Sequence, residues 1–255
     1  MCELFGASFK EAVDIKSELK EFFSHSVKHP HGWGLMRFHQ DTYEVLREPV
    51  RAIDSTTLSE TIEQTEAQCN ALAHIRLATV GAMRPENCHP YVGNDASGRT
   101  WTLIHNGTIY SSNRLMKYLD SQQGDTDSER VFLYLLELLN QEYDQTGSLT
   151  EAQRFHVVES LVLELSARNK LNLIIFDGEI LYIHKNMKNT LSMAQIPQGF
   201  LFSTTPVNEH AKWHEIPMCR LFAYKQGELL FESKEVTKEF IPSLEYISTM
   251  AAMNI

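Results

Sequence analysis

The chain has 255 residues, 43% of them apolar and 22% charged, with a net charge of −10 when histidine is counted neutral. Those proportions are ordinary for a globular protein and allow one large core or two small ones. The acidic balance, with no basic run longer than a residue or two, excludes a surface built to displace counterions from nucleic acid.

The four cysteines, Cys2, Cys69, Cys88 and Cys219, are far apart and include no CxxC pair. A chain of this size needs no disulfide staples, and the opening MCELFGASF places Glu3 where a secretory signal places basic residues. The most apolar stretch, 131–139, is interrupted by Glu137 and is about half a membrane span. A reduced, cytoplasmic protein that enters no membrane is expected. With no repeat, low-complexity tract or linker, residues 1–255 read as a single domain, with 233–255 as a tail packing on it.

In chain order, residues 1–8 read as a buried strand and 11–23 as an amphipathic helix with Val13, Ile15, Leu19, Phe22 and Phe23 on its apolar face. Residues 25–32 form a His/Pro/Gly loop. Residues 34–39 and 43–47 form a hairpin across Gln40-Asp41. Strands follow at 70–79 and 100–106, separated by a long connection at 81–98 of the kind that is often functional. Helices are expected at 113–119, 128–141 and 150–167. Thr126 and Glu129 have capping-box spacing before the second of these. Residues 171–176 and 179–184 flank Asp177-Gly178, a hairpin signal, and further strands are expected at 200–204, 221–224 and 229–231. Two batches of strands with helices between them predict an α+β layered architecture.

Loss of Met1 would give Cys2 a free α-amine with a reference pKa of ~7.7–8.0 beside a thiol of ~8.5. One residue would then hold both nucleophile and base. On position alone Cys2 also reads as a small apolar strand residue, so the motifs downstream must decide.

Those motifs are His74-Ile75-Arg76-Leu77-Ala78-Thr79 at a strand end, Ile104-His105-Asn106-Gly107 at another, and Thr126-Asp127-Ser128-Glu129 at a helix start. With the opening Cys-Glu-Leu-Phe-Gly they resemble the glutaminase domain of class II glutamine amidotransferases. Gly32-Trp33-Gly34 and the tract Glu86-Asn87-Cys88-His89-Pro90-Tyr91 look like the stand-alone YafJ-like branch, which is similar to the γ-glutamyl hydrolase of ergothioneine synthesis. The resemblance runs from residue 1 to about 231.

The resemblance implies a four-layer αββα sandwich of the N-terminal-nucleophile hydrolase type, with two packed antiparallel sheets. It implies catalysis by Cys2, with the Asn106 side-chain amide and the Gly107 N–H as oxyanion donors. It implies glutamine or a γ-glutamyl amide as substrate, the α-carboxylate held by Arg76 and Thr79 and the α-ammonium by Asp127. Each role suits its residue: a planar guanidinium matches a carboxylate, and preorganised N–H donors match an oxyanion. Each also has a plainer reading, as a surface arginine, a turn dipeptide or a helix cap. By the same resemblance Trp33, Gly34 and His89 border the active site as loop residues.

No cofactor or metal is implied. His25, His29, His31, His39, His89 and Cys88 include an i, i+2 histidine pair, but the glycine-flanked segment suits a shaped loop better than a metal site. After Arg76 the larger synthases carry Trp and then Thr-His, whereas Leu77 and Val80 stand here. His105 alternates away from Asn106 and should be a packed histidine. Without an acceptor domain, a separate synthase subunit is a possible partner.

Overall fold

The computed structural model of the chain describes residues 2–39, 42–235, 238–244 and 247–248. Its strands are β1 (Glu3–Val13), β2 (Trp33–His39), β3 (Thr42–Glu48), β4 (Gln68–Ile75), β5 (Tyr91–Asn94), β6 (Thr100–His105), β7 (Leu173–Phe176), β8 (Ile180–His184), β9 (Ser192–Ile196), β10 (Gly199–Ser203), β11 (Trp213–Glu215), β12 (Leu221–Lys225) and β13 (Glu228–Glu232). The α-helices are α1 (Lys16–Ser24), α2 (Thr56–Gln64), α3 (Asp127–Thr146) and α4 (Glu151–Leu165). One sheet has the order β11-β9-β10-β1-β4-β2-β3 and the other β13-β12-β8-β7-β6-β5. The pairings within each are antiparallel.

Strand periodicity builds the layers. Along β1, Phe5, Ala7 and Phe9 point toward Leu19, Phe22 and Phe23 of α1, while Leu4 joins Ile174, Leu181 and Phe202 between the sheets. Along β6, Trp101 and Leu103 pack on Val131, Leu135 and Leu161 of the other helical pair, while Ile104 faces the opposite sheet. Alternate side chains must take opposite faces, so three apolar interfaces form and stack helices, sheet, sheet and helices. This is the expected αββα sandwich.

Local chemistry fixes the helix starts. Thr126 Oγ1 accepts from the Glu129 N–H at 3.2 Å, as the capping spacing predicts. The Glu129 carboxylate, however, accepts from Gln123 N and Gly124 N at 2.6 and 2.7 Å, bracing the loop ahead of the helix instead of closing the box. At α4 the box is complete between Thr150 and Gln153.

The helix predicted over 11–23 starts later, because β1 continues through an irregularity until Val13 pairs with Gln68. Only the apolar residues from Ile15 onward follow the helical face. The strand predicted over 70–79 stops at Ile75, leaving Arg76 to Thr79 as its exit. β5 lies inside the predicted 81–98 connection, while α2, β9 and β11 had no sequence-based counterpart. Residues 113–118 form a 3-10 helix. The β2–β3 hairpin forms, although its predicted turn residues Gln40 and Asp41 lie outside the described residues. The tail at 233–255 is only partly described. In that part Ser233 Oγ accepts from Leu221 N at 2.8 Å, and the Phe240 ring stacks on Tyr110 with centroids 6.0 Å apart. Among the described residues no helix is long and apolar enough to cross a membrane.

The Asp177-Gly178 turn does join β7 to β8, with Gly178 at φ 89°, but its aspartate is fully buried. Asp177 accepts from Arg154 Nε of α4 at 2.7 Å, the Tyr182 hydroxyl at 2.8 Å and two backbone N–H groups. Asp177→Ala would leave Arg154 Nε and the Tyr182 hydroxyl buried without their acceptor, while Arg154 Nη2 keeps Glu179 at 2.9 Å, a change that costs about 1–3 kcal/mol. Urea unfolding measures this, and a midpoint equal to wild type would show that the pair contributes nothing.

Candidate active site

The start of β1 and the end of β4 lie side by side, with Glu3 opposite Ile75. Cys2 Sγ therefore sits 3.4 Å from the Leu77 N–H that donates to it and 3.5 Å from the Leu77 carbonyl. Burial pushes the Cys2 thiol up, while the Leu77 backbone and the charges of Lys170 and Arg76 act to lower it.

The facing sheet supplies the end of β6. Asn106 is buried, its backbone N–H donating to the Asn172 carbonyl and its backbone carbonyl accepting from Asn172 Nδ2, both at 2.9 Å. Its Oδ1 accepts from Lys170 Nζ at 2.9 Å. Its Nδ2 is buried with no partner among the described residues. Gly107 follows because nothing larger fits: a Cβ there would lie 2.0 Å from the Lys170 carbonyl and 2.1 Å from His105 Nε2.

Arg76 leaves β4 on the sheet-facing side and is buried. Its Nη2 donates to the Val80 and Gly81 carbonyls and its Nη1 to that of Ala82, at 2.9 to 3.0 Å. A guanidinium has five N–H donors, so these bonds shape the following loop without exhausting it. Thr79 is exposed in that loop. The loop is latched to the approach of α3: Ala82 N donates to Asp125 Oδ1 at 3.2 Å, and Asn87 Nδ2 donates to the Ala82 carbonyl at 2.8 Å. Asn87 Oδ1 accepts from Asp125 N at 2.9 Å.

Asp127 opens α3, where the helix N-terminus favours a negative charge. Its Oδ2 accepts from Ile109 N at 2.7 Å and its Oδ1 from Ser128 N at 2.9 Å, so it ties the turn after Asn106 to the helix. A carboxylate has about four acceptor positions, which leaves room for a cationic ligand.

A family model described as class II glutamine amidotransferases matches residues 1–199. The chain belongs to that family. Its domain is one that hydrolyses or transfers the amide of glutamine. Over 182 residues, 70% of each chain, it is 31% identical to the Escherichia coli protein YafJ, in keeping with the YafJ-like branch. Among solved structures, a Pseudomonas aeruginosa protein described as a predicted glutamine amidotransferase aligns with 90% of this chain and 100% of its own, at 20% identity and TM-score 0.62. Glutamine phosphoribosylpyrophosphate amidotransferase of Bacillus subtilis aligns with 92% of this chain at 14% identity and TM-score 0.65. At such identities the likeness is one of fold, and this chain spans about half of that enzyme, 49%.

Of the residues of this class II amidotransferase expected to form a loop at the site, His89 does lie in the connection before β5, whereas Trp33 and Gly34 are strand residues, in β2. Trp33 is buried on the helix-facing side, its ring edge-on to Phe23 at 6.1 Å, because strand alternation sends it away from the other sheet. Gly34 points the other way, where a Cβ would fall 1.8 Å from the His89 carbonyl. His89 is buried with its ring 4.1 Å from that of His74. Burial pushes His74 down to about 3 and His89 well below the usual range, so both are neutral packing groups at working pH. His105 is held by Ser128 Oγ at 2.9 Å and the Lys170 carbonyl at 3.3 Å, as its alternation predicts.

The loop histidines serve the frame as well. His25 Nδ1 pairs with Glu3 at 2.9 Å, and His31 Nδ1 accepts from Ala78 N at 2.9 Å. Among the described residues no group of three or more His, Cys, Asp or Glu is arranged to hold a metal.

Lys170, Asn172 and Asp125 belong to none of the sequence motifs, and Asn87 stands there only as part of the Glu86–Tyr91 tract, with no role assigned. The available signal was Lys170 and Asn172 alternating with Leu171 and Leu173 at the head of an otherwise apolar run. Polar groups entering a buried strand need partners there.

Proposed function

We propose that the protein hydrolyses the γ-amide of glutamine or of a γ-glutamyl compound through a thioester on Cys2. With Met1 removed, the α-amine of Cys2 takes the thiol proton, and the sulfur attacks the γ-carbonyl. The oxyanion is held by Asn106 Nδ2 and the Gly107 N–H. The carbonyl re-forms as ammonia or an amine leaves, protonated by the α-ammonium, and water then resolves the thioester to glutamate. Arg76 and Thr79 hold the α-carboxylate and Asp127 the α-ammonium. The steps use no metal or cofactor.

One observation carries this reading most directly: the Asn106 amide has its oxygen fixed by a lysine and its nitrogen buried without a partner among the described residues. A buried donor left open costs about 1–3 kcal/mol, and such costs are retained where a ligand supplies the acceptor.

Incubating the purified protein with glutamine and a panel of γ-glutamyl amides, while following ammonia, amine and glutamate, tests the proposal. The expected outcome is release of glutamate by protein whose intact mass lacks Met1. No release from any member of the panel by protein so processed would overturn it. A second reading, an ammonia-supplying subunit for a separate synthase, is favoured by the chain spanning about half of the Bacillus subtilis enzyme. It predicts turnover only after the partner is added.

A further inference from the structure

We infer that Lys170 is the positioning residue of the oxyanion donor, fixing the Asn106 amide so that its N–H₂ end is the one offered to the reacting carbonyl. This rests on the functional reading above and adds a residue to it. The observation is geometric. Lys170 Nζ lies 2.9 Å from Asn106 Oδ1, and an ammonium group donates only. The oxygen end of the amide must therefore face Lys170, and the nitrogen end, which has no partner among the described residues, is left for the substrate.

The same segment aligns the second donor. Lys170 N and O exchange hydrogen bonds with Thr108 at 3.2 and 3.0 Å, and the Lys170 carbonyl occupies the space any Gly107 side chain would need. A cation on the amide oxygen also polarises the amide, and hydrogen bonds in a chain strengthen one another.

The charge of Lys170 reaches the nucleophile too. Burial pushes the lysine down to about 8, opposed by the Cys2 thiolate, and the lysine in turn helps to lower the thiol. Among the described residues the titratable groups acting on or felt by it are Cys2, just before β1, and His105 of β6, with Arg76 acting on the former and Asp127 on the latter. As pH rises through about 8, the lysine keeps its hydrogen bond but loses its charge, so activity falls. Stability moves the opposite way. The folded pKa is below the unfolded 10.5, so between those values the unfolded state binds more protons and stability increases with pH.

The test compares Lys170→Met and Lys170→Arg with wild type in kcat, KM, their pH profiles, and the rate at which iodoacetamide alkylates Cys2. Lys170→Met should lower kcat by roughly 10- to 100-fold, a fraction of what losing a whole donor costs, with KM nearly unchanged. It should abolish the alkaline limb near pH 8 and slow alkylation several-fold at pH 7.5. Lys170→Arg should recover part of kcat and move the limb to higher pH, because a guanidinium keeps its proton. Unchanged kcat and unchanged alkylation in Lys170→Met would overturn the inference. Should that variant fail to fold, Lys170→Arg decides, an unmoved alkaline limb being fatal. If wild type releases nothing from any γ-glutamyl amide, the functional reading fails, and the alkylation profile alone still decides whether Lys170 controls Cys2.

Discussion

Replacing Cys2 with alanine is expected to reduce glutamine hydrolysis to background, a loss of at least about 10⁴-fold, or roughly 5.5 kcal/mol of transition-state stabilisation. Cys2→Ala keeps the α-amine, the oxyanion donors and the substrate contacts, and removes only the atom that forms the thioester. The fold should be indifferent. The sulfur touches the Leu77 N–H and carbonyl at 3.4 and 3.5 Å, long contacts to a weak acceptor and donor, so thermal unfolding should move by no more than a few degrees. Glutamate release and the melting curve, measured on one preparation, separate chemistry from structure. Turnover within tenfold of wild type would remove Cys2 from the mechanism.

The second large effect is expected at Asn106. In Asn106→Asp one oxygen still accepts from Lys170 Nζ, so the buried lysine keeps a partner and the fold is retained. The other oxygen replaces the Nδ2 donor with an acceptor that repels a developing oxyanion. Loss of one such donor lowers kcat by ~10²–10³, about 2.7–4 kcal/mol, and the repulsion adds to this. KM should change little, since the interaction is made with charge that develops only in the transition state. Steady-state kinetics on glutamine checks it. A raised KM with unchanged kcat would place Asn106 in ground-state binding instead.

Asn106 also shows how far sequence reading reached. Its position at a strand end, followed by glycine, was legible, and so was the reversed orientation of His105, because strand alternation is a local rule. Which end of the amide faces the substrate was not. That depends on Lys170, 64 residues away in the chain, whose side chain arrives only when β6 and β7 pair. Arg76 is similar. Its residue type and strand-end position were readable, but the bonds from its guanidinium to the carbonyls of residues 80–82 depend on how the following loop turns. For Trp33 the family resemblance implies a loop residue bordering the site. Its place in β2 follows from pairing with Ile75 and Glu48, partners that no local window contains.

By itself the sequence determined the kinds of group present and the order in which they are strung: a cysteine next to the initiator, an arginine and an Asn-Gly pair at strand ends, an aspartate opening a helix. It also determined the layered class, because apolar periodicity is written within each element. The tertiary structure alone decided where β1 gives way to α1 and which short strands complete the sheets. It alone decided that the Asp125–Asn87 latch closes and that Lys170 grips Asn106. These features are hydrogen bonds and close approaches between distant segments, and their energy exists only after the two sheets have packed and excluded water from between them.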